Sequence, residues 1–370
     1  MLNHQHFHPM MPSANHDELA RQLFVLRLRE YVAGDLQPAN KMVFERQVEP
    51  AFERQHGRKP ARRAEVRAAM ERHPFHQAWS ALNVTTQEMI WESVQTSIDR
   101  QIDDLNERAA SVKARRGTLR LDRTVEAPRY LTAVDIHRMP GNYHTEYEPG
   151  DVYQAALFDR GAFIYGRGGQ GPFHAKRGED VVRYLRKVHP NLKPKRILDM
   201  GCTVGASTIP VARAFPNAEV HAIDISAPCV RYGHARAEFL GVPIHFSQQD
   251  CEKTDFADGS FDVVFSCILL HETSGKALRN YLRESHRLLK PGGVALHMDF
   301  SRYAGKSPYD QFMGDWSTHH NHEPFIAGLG DTDVAAVARQ VGFSSNKVSL
   351  ESMSRYTEPG NHLFVLDARR

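Results

Sequence analysis

The run Arg196-Ile197-Leu198-Asp199-Met200-Gly201-Cys202-Thr203-Val204-Gly205 constrains the fold of this chain more than any other stretch. Apolar residues around a single Asp read as a strand buried on both faces, the pattern of a parallel sheet. The glycines let the backbone turn tightly and let a ligand approach it closely. A helix expected over 206–215 follows, and the first N–H groups of a helix are free for a polar ligand. A second apolar strand, Val220-His221-Ala222-Ile223, ends in Asp224. A carboxylate at that place can accept from both hydroxyls of a ribose. Together these features predict a nucleoside cofactor at the carboxyl ends of a parallel sheet.

From Lys176 onward, strands and helices alternate. Strands are expected at 196–200, 219–224, 243–247, 261–267 and 293–299, with helices at 181–188, 206–215, 227–240 and 275–289. Such alternation means a parallel sheet with crossover helices. A polar, aromatic insertion at 300–330, a helix at 331–341 and two closing strands near 346–352 and 362–367 complete this half.

The other half reads differently. Residues 1–15, with His4, His6 and His8, are expected to be a disordered tail. Residues 16–120 read as a helical domain. Its first helix, Asp17 to Ala33, has Gly34 as a stop signal, and a second is expected from Pro38 to Gln55. A third starts at Pro60 and ends near His73. Thr85-Thr86-Gln87-Glu88 fits a capping box opening a long last helix. Ile90, Val94, Ile98, Ile102, Leu105, Ala109 and Val112 form one apolar stripe on it, suited either to packing within the domain or to a homodimer seam. Residues 121–175, rich in Pro, Gly and Tyr, read as a linker or lid, and 176–370 as the cofactor-binding domain.

Composition excludes several classes. A formal net charge of +3 and no basic groove with interleaved aromatics argue against nucleic acid. There is no apolar run of about 18 residues, so no membrane span is expected. No signal pattern opens the chain, and the four cysteines form no CxxC pair, which suits a reducing cytoplasm.

The half from 176 to 370 resembles the class I S-adenosylmethionine (SAM)-dependent methyltransferases. Ile197 to Gly205 corresponds to that family's first motif, and Asp224 falls at the end of its second strand. Gln249-Asp250-Cys251 follows the third strand, Phe261 to Ser266 resembles the fourth, and Leu288 to Gly293 resembles the turn before the fifth. The resemblance implies an α/β fold with a seven-stranded Rossmann-like sheet, one strand antiparallel, beside the N-terminal helical domain. It implies that Asp199, Gly201, Cys202, Thr203 and Gly205 approach the methionine end of SAM. Asp224 would hold the ribose and Ile225 would lie along the adenine. Asp250 would accept from the adenine amino group with Cys251 beside it, and Ser266 would face the methionine moiety. One departure is Thr203, where the family has the middle glycine of its turn. A threonine that tolerates the backbone angles could offer its hydroxyl to the cofactor.

Methyl transfer needs the acceptor held in line and water excluded, with a base where the acceptor arrives protonated. Candidates are His271 and Glu272 after the fourth strand, joined by Tyr143 and Tyr165 as walls that could face a sulfonium. His297 and Asp299 share the same rim. The insertion carries Trp316, His319, His320, His322 and Glu323, suited to a substrate wall, and its spacing matches no familiar zinc site, so no metal is expected. These readings converge on methyl transfer to a small molecule, as O, N or S acceptor. The runner-up is SAM-consuming chemistry that releases methylthioadenosine.

Overall fold

A computed structural model describes residues 7–300, 302–358 and 361–370. The expected sheet forms, with one strand more than the sequence suggested. Its strands are β1 (Thr118–Arg120), β2 (Arg196–Met200), β3 (Glu219–Asp224), β4 (His245–Gln248), β5 (Phe261–Cys267), β6 (Leu289–Phe300), β7 (Val348–Ser352) and β8 (Leu363–Arg369). They lie in the order β1-β4-β3-β2-β5-β6-β8-β7. β8 alone runs against its neighbours β6 and β7. The added strand, β1, pairs parallel to β4 at the edge, so the end of the expected helical domain contributes to the sheet. The order reverses between β2 and β5, and at such a switch point the two following loops part and leave a crevice.

Helices Lys176–Val188, Thr208–Ala214 and Ala227–Phe239 cover one face, burying Val181, Leu185, Ile209 and Val230 against Ile197, Val220 and Val263. Helices Gly275–Leu288 and Val334–Gln340 cover the other with Leu278, Leu282, Val334 and Ala338. Both faces of β2 and β5 are therefore dry, which is why those strands read as continuous apolar runs.

The helical half departs from expectation in several places. Gly34 does not stop the first helix. The chain stays helical from His16 to His56, through wider π turns at Val32–Leu36 and Phe44–Val48. Each π turn precedes a proline, Pro38 or Pro50. A proline ring clashes with the carbonyl four residues back, and the wider turn makes room for it. Gly57, at φ +69°, ends the run. The last helix starts at Pro74, not near Thr85, and runs to Asp99. No glycine or proline interrupts 75–99, so Pro74 in the first turn opens the helix and His73 caps it. Thr86 lies inside, fully buried, its hydroxyl donating to the Asn83 carbonyl at 3.0 Å. The capping box is instead Asn15 with Glu18.

The apolar stripe breaks between Asp99 and Ile102, and is covered within the chain. Ile90, Val94, Ile98 and Leu105 pack on Ala155, Ala156 and Ile164 of helix Tyr153–Tyr165, and on Tyr232 and Ala235. Helix Tyr153–Tyr165 is thus a core element inside the expected lid. The tail corrects likewise from residue 8: Met10 is fully buried, and His8 Nε2 meets Asp159 Oδ2 at 2.8 Å. His4 and His6 lie outside the described residues. No helix among the described residues is long and apolar enough to cross a membrane.

Candidate active site

A cavity of about 280 Å³ opens at the switch point. Its floor is the turn after β2. Gly201 and Gly205 sit at φ +74° and +72°, and Thr203 adopts the same left-handed region at +44°. The Gly201 and Cys202 N–H groups donate to the Ile223 carbonyl, which locks the turn to β3. The Thr203 N–H donates to Asp224 Oδ2 at 2.8 Å, and the Ser226 N–H to Oδ1 at 3.0 Å. A carboxylate offers about four lone-pair positions, so Asp224 keeps acceptor capacity for two ribose hydroxyls. Burial raises its pKa, and the backbone donors, Ser226 first, oppose that rise. Asp199, also on the lining, is pushed up to about 7 by burial, against the hydrogen bond from Thr208. The Thr203 hydroxyl turns to its neighbour's carbonyl, Cys202 O, at 2.9 Å. Helix Thr208–Ala214 begins two residues later than expected, so the turn itself forms this wall.

The opposite wall is polar and buried. Leu270–Glu272 follows β5 as a short 3-10 turn. His271 Nδ1 lies 2.8 Å from Asp299 Oδ1 at the end of β6. Its Nε2 is 3.3 Å from Glu272 Oε1 and has no hydrogen-bond partner. His137, from the stretch expected to be a lid, brings Nε2 within 2.9 Å of the same oxygen. Its Nδ1 meets Glu323 Oε1 at 3.0 Å. Glu272 Oε2 is buried and unpartnered. Burial pushes Glu272 up, but His137 and then His271 outweigh it and hold the carboxyl well below its usual range. Burial opposes charge on His271, yet Asp299 and Glu272 pull it well above the ordinary histidine value.

The remaining walls are aromatic: Tyr143, Tyr165, Phe158 and Trp91. Burial raises both tyrosine pKa values, so each stays a phenol. Tyr143 is fixed by the Ser226 hydroxyl, which donates to its carbonyl at 2.7 Å. Trp91 Nε1 and Gln87 Nε2 both donate to the His137 carbonyl at 2.8 Å. These bonds hold His137 at φ +56°, an uncommon conformation for a non-glycine residue.

The cavity therefore gathers Asp199, Gly201, Cys202, Thr203, Asp224, Ile225, Tyr143, Tyr165, His271 and Glu272. Four expected residues do not line it. Gly205 backs the turn, where an added Cβ would stand 3.0 Å from Phe246. Asp250 turns to the Glu252 N–H, and Cys251 packs against the apolar cluster of Leu198 and Ile223. Ser266 is buried between strands and bonded to His297 Nδ1 at 3.1 Å. His297 also leaves the rim. Its Nδ1 accepts from the Tyr281 hydroxyl, and burial lowers its pKa to about 3. Of the described residues of the insertion only Phe300, at its start, lines the cavity: Tyr309 and Phe312 pack on Phe44 and Met70, and Trp316 on Trp79. Its contribution is Glu323, behind His137. His137 itself carried no sequence signal, being an isolated residue in an irregular stretch.

Residues 197–293 match the family model described as a methyltransferase domain. Phosphoethanolamine N-methyltransferase 1 of Arabidopsis thaliana is 33% identical over 146 residues, which are 39% of this chain and 28% of that protein. An uncharacterised methyltransferase of Synechocystis is 28% identical over 52% of this chain and 84% of its own. Among solved structures, phosphoethanolamine N-methyltransferase 2 of Haemonchus contortus is 17% identical with a TM-score of 0.41, covering 52% of each chain. The chain thus spans about a quarter of the length of the Arabidopsis relative. With the ordered motifs and the strand order, the match identifies residues 197–293 as a methyltransferase domain of the class I, SAM-dependent kind.

Proposed function

We propose that this chain transfers a methyl group from SAM to a small-molecule acceptor held in the switch-point cavity. The observation that carries this reading is the continuity of one cavity from the Gly201–Thr203 turn and Asp224 to the His137–His271–Glu272 cluster. In this reading Asp224 takes the ribose hydroxyls, Ile225 lies along the adenine, and Asp199 and the turn face the methionine end. Bound SAM supplies a methyl carbon activated by its positive sulfur. The aromatic walls hold the acceptor's apolar body and exclude water, which strengthens every electrostatic interaction inside. The acceptor's protonated heteroatom faces the cluster, and Glu272 Oε2, ionised and unpartnered, receives its proton. The acceptor's freed pair makes the new bond to carbon, and the carbon–sulfur pair stays on sulfur. The phosphoethanolamine N-methyltransferase relative is named for a small acceptor of this kind.

Mass spectrometry of the products formed from SAM and a panel of amine, phenol and thiol acceptors tests the reading. S-adenosylhomocysteine with a methylated acceptor supports it; methylthioadenosine alone contradicts it and favours the aminocarboxypropyl or cyclisation chemistry. Glu272→Gln should lower kcat by roughly 10²–10⁴-fold, the usual share of a general base. The dissociation constant of S-adenosylhomocysteine should stay close to the wild-type value.

A further inference from the structure

We propose that His137, His271 and Glu272 form a binding site for one divalent transition-metal ion, of the zinc, iron(II) or manganese type. Nδ1 and Nε2 of each imidazole, the Oε atoms of Glu272 and the carboxylates behind the rings all fit this assignment.

The three ligand atoms lie within 4.8 Å of one another. Two ligands about 2.1 Å from one tetrahedral ion are separated by roughly 3.3–3.4 Å. Glu272 Oε1 stands 2.9 Å from His137 Nε2 and 3.3 Å from His271 Nε2, close to that spacing. His271 is 1% exposed, and its Nε2 has no hydrogen-bond partner while aimed into the cavity. A buried imidazole nitrogen left without a partner costs free energy unless something occupies the position in front of it.

The outer groups complete the pattern. Metal-ligating histidines nearly always place the second ring nitrogen against a carboxylate or carbonyl, which fixes the tautomer and turns the lone pair to the ion. Both rings here do so. His271 Nδ1 faces Asp299 Oδ1 at 2.8 Å, and His137 Nδ1 faces Glu323 Oε1 at 3.0 Å. Glu323 is itself held by Asn321 Nδ2 at 2.5 Å. Four segments far apart in sequence therefore meet at one point, and each ring is aimed by a buried acid. Two histidines and one carboxylate leave coordination positions open, which suits imidazole-preferring metals and leaves room for a substrate atom. That the ion would lie beside the acceptor rests on the reading of the cavity given above; its binding does not. An acceptor heteroatom on such an ion loses its proton more readily, because the ion stabilises the anion.

The test uses the full chain, stripped with a chelator and titrated with Co²⁺, then displaced by Zn²⁺. The expected result is one equivalent of cobalt with visible d–d absorption, and one equivalent of zinc by elemental analysis. His137→Ala and His271→Ala should each weaken binding at least 100-fold. Asp299→Asn and Glu323→Gln should weaken it by roughly 10–100-fold, as outer carboxylates do. Removing His4 and His6 together should leave binding unchanged. S-adenosylhomocysteine titration of each variant shows that its fold survives. No stoichiometric metal in the wild type overturns the proposal, as does binding indifferent to both cluster histidines. Metal binding without any methyl transfer would sink the proposed activity and leave the metal site standing.

Discussion

At Thr203 a single residue shows how this turn is built. A side chain at φ +44° is strained, at a cost of about 1–2 kcal/mol, yet three bonds hold it. Its N–H feeds Asp224, its hydroxyl caps the preceding carbonyl, and the Gly205 N–H returns to Cys202 O at 2.8 Å. Asp199, beside it, is a store of pH dependence. Its folded pKa is about 7, against an ordinary 3.8, because burial, helped by the nearby Asp224 carboxylate, favours the neutral acid more than the Thr208 bond favours the charged one. Between those values the folded chain binds more protons than the unfolded one, so stability is fully present below pH 3.8 and falls as pH rises toward 7. Urea midpoints of the cofactor-free protein across that range should fall with pH. Asp199→Asn keeps the shape and should flatten the curve; an equally steep curve in the variant would show that the proton sits elsewhere.

Among the elements, period was a sound guide and punctuation was not. The strands β2, β3 and β5 were legible because both faces of a parallel sheet are covered, so apolar runs and their bounding turns coincide with the real ends. Asp199, Gly201, Cys202, Thr203, Asp224 and Ile225 meet in the cavity because they lie at the carboxyl ends of β2 and β3, whereas Gly205, Asp250, Cys251 and Ser266, expected beside them, do not line it. Gly34 misled because it sits inside a π turn, whose wider ring makes room for Pro38 and lets the helix continue. Thr85-Thr86-Gln87-Glu88 misled because a capping pattern has the same letters inside a helix as at its start. His137 was illegible because its place depends on Trp91 and Gln87, which reach its carbonyl from another segment. The apolar stripe had two readings, and its burial separates them. Ile98 is fully buried against Tyr153–Tyr165 and its neighbours. Ile98→Ala should therefore cost about 2–5 kcal/mol of unfolding free energy by denaturant titration. A seam between two copies would instead change oligomer mass at nearly unchanged protomer stability.

As a whole molecule, the helical and sheet halves share one interior. Val25, Ile90 and Ile98 belong to the same apolar cluster as Val204, Cys229 and Tyr232. Beneath it, Asp159 is fully buried and accepts from the Tyr232 hydroxyl at 2.7 Å, with His8 at 2.8 Å. Burial raises its pKa, but Arg236 and then His8 outweigh that and keep it a carboxylate. His8→Ala should cost about 1.5–3 kcal/mol, the worth of a bond to a charged group, and lower the midpoint of a single unfolding transition. Two separate transitions, with only the first moved, would mean the halves fold apart. The same shared interior brings His137 and the aromatic walls from the first half over the cofactor turn of the second, so neither half has a complete site. Under the proposed function this joint cavity binds SAM through Asp224. Calorimetric titration with S-adenosylhomocysteine tests it most directly. The wild type should bind one equivalent, and Asp224→Ala should bind at least tenfold more weakly with its unfolding midpoint little changed. A wild type that takes up no S-adenosylhomocysteine, or an Asp224→Ala variant that binds it as tightly, would contradict the account.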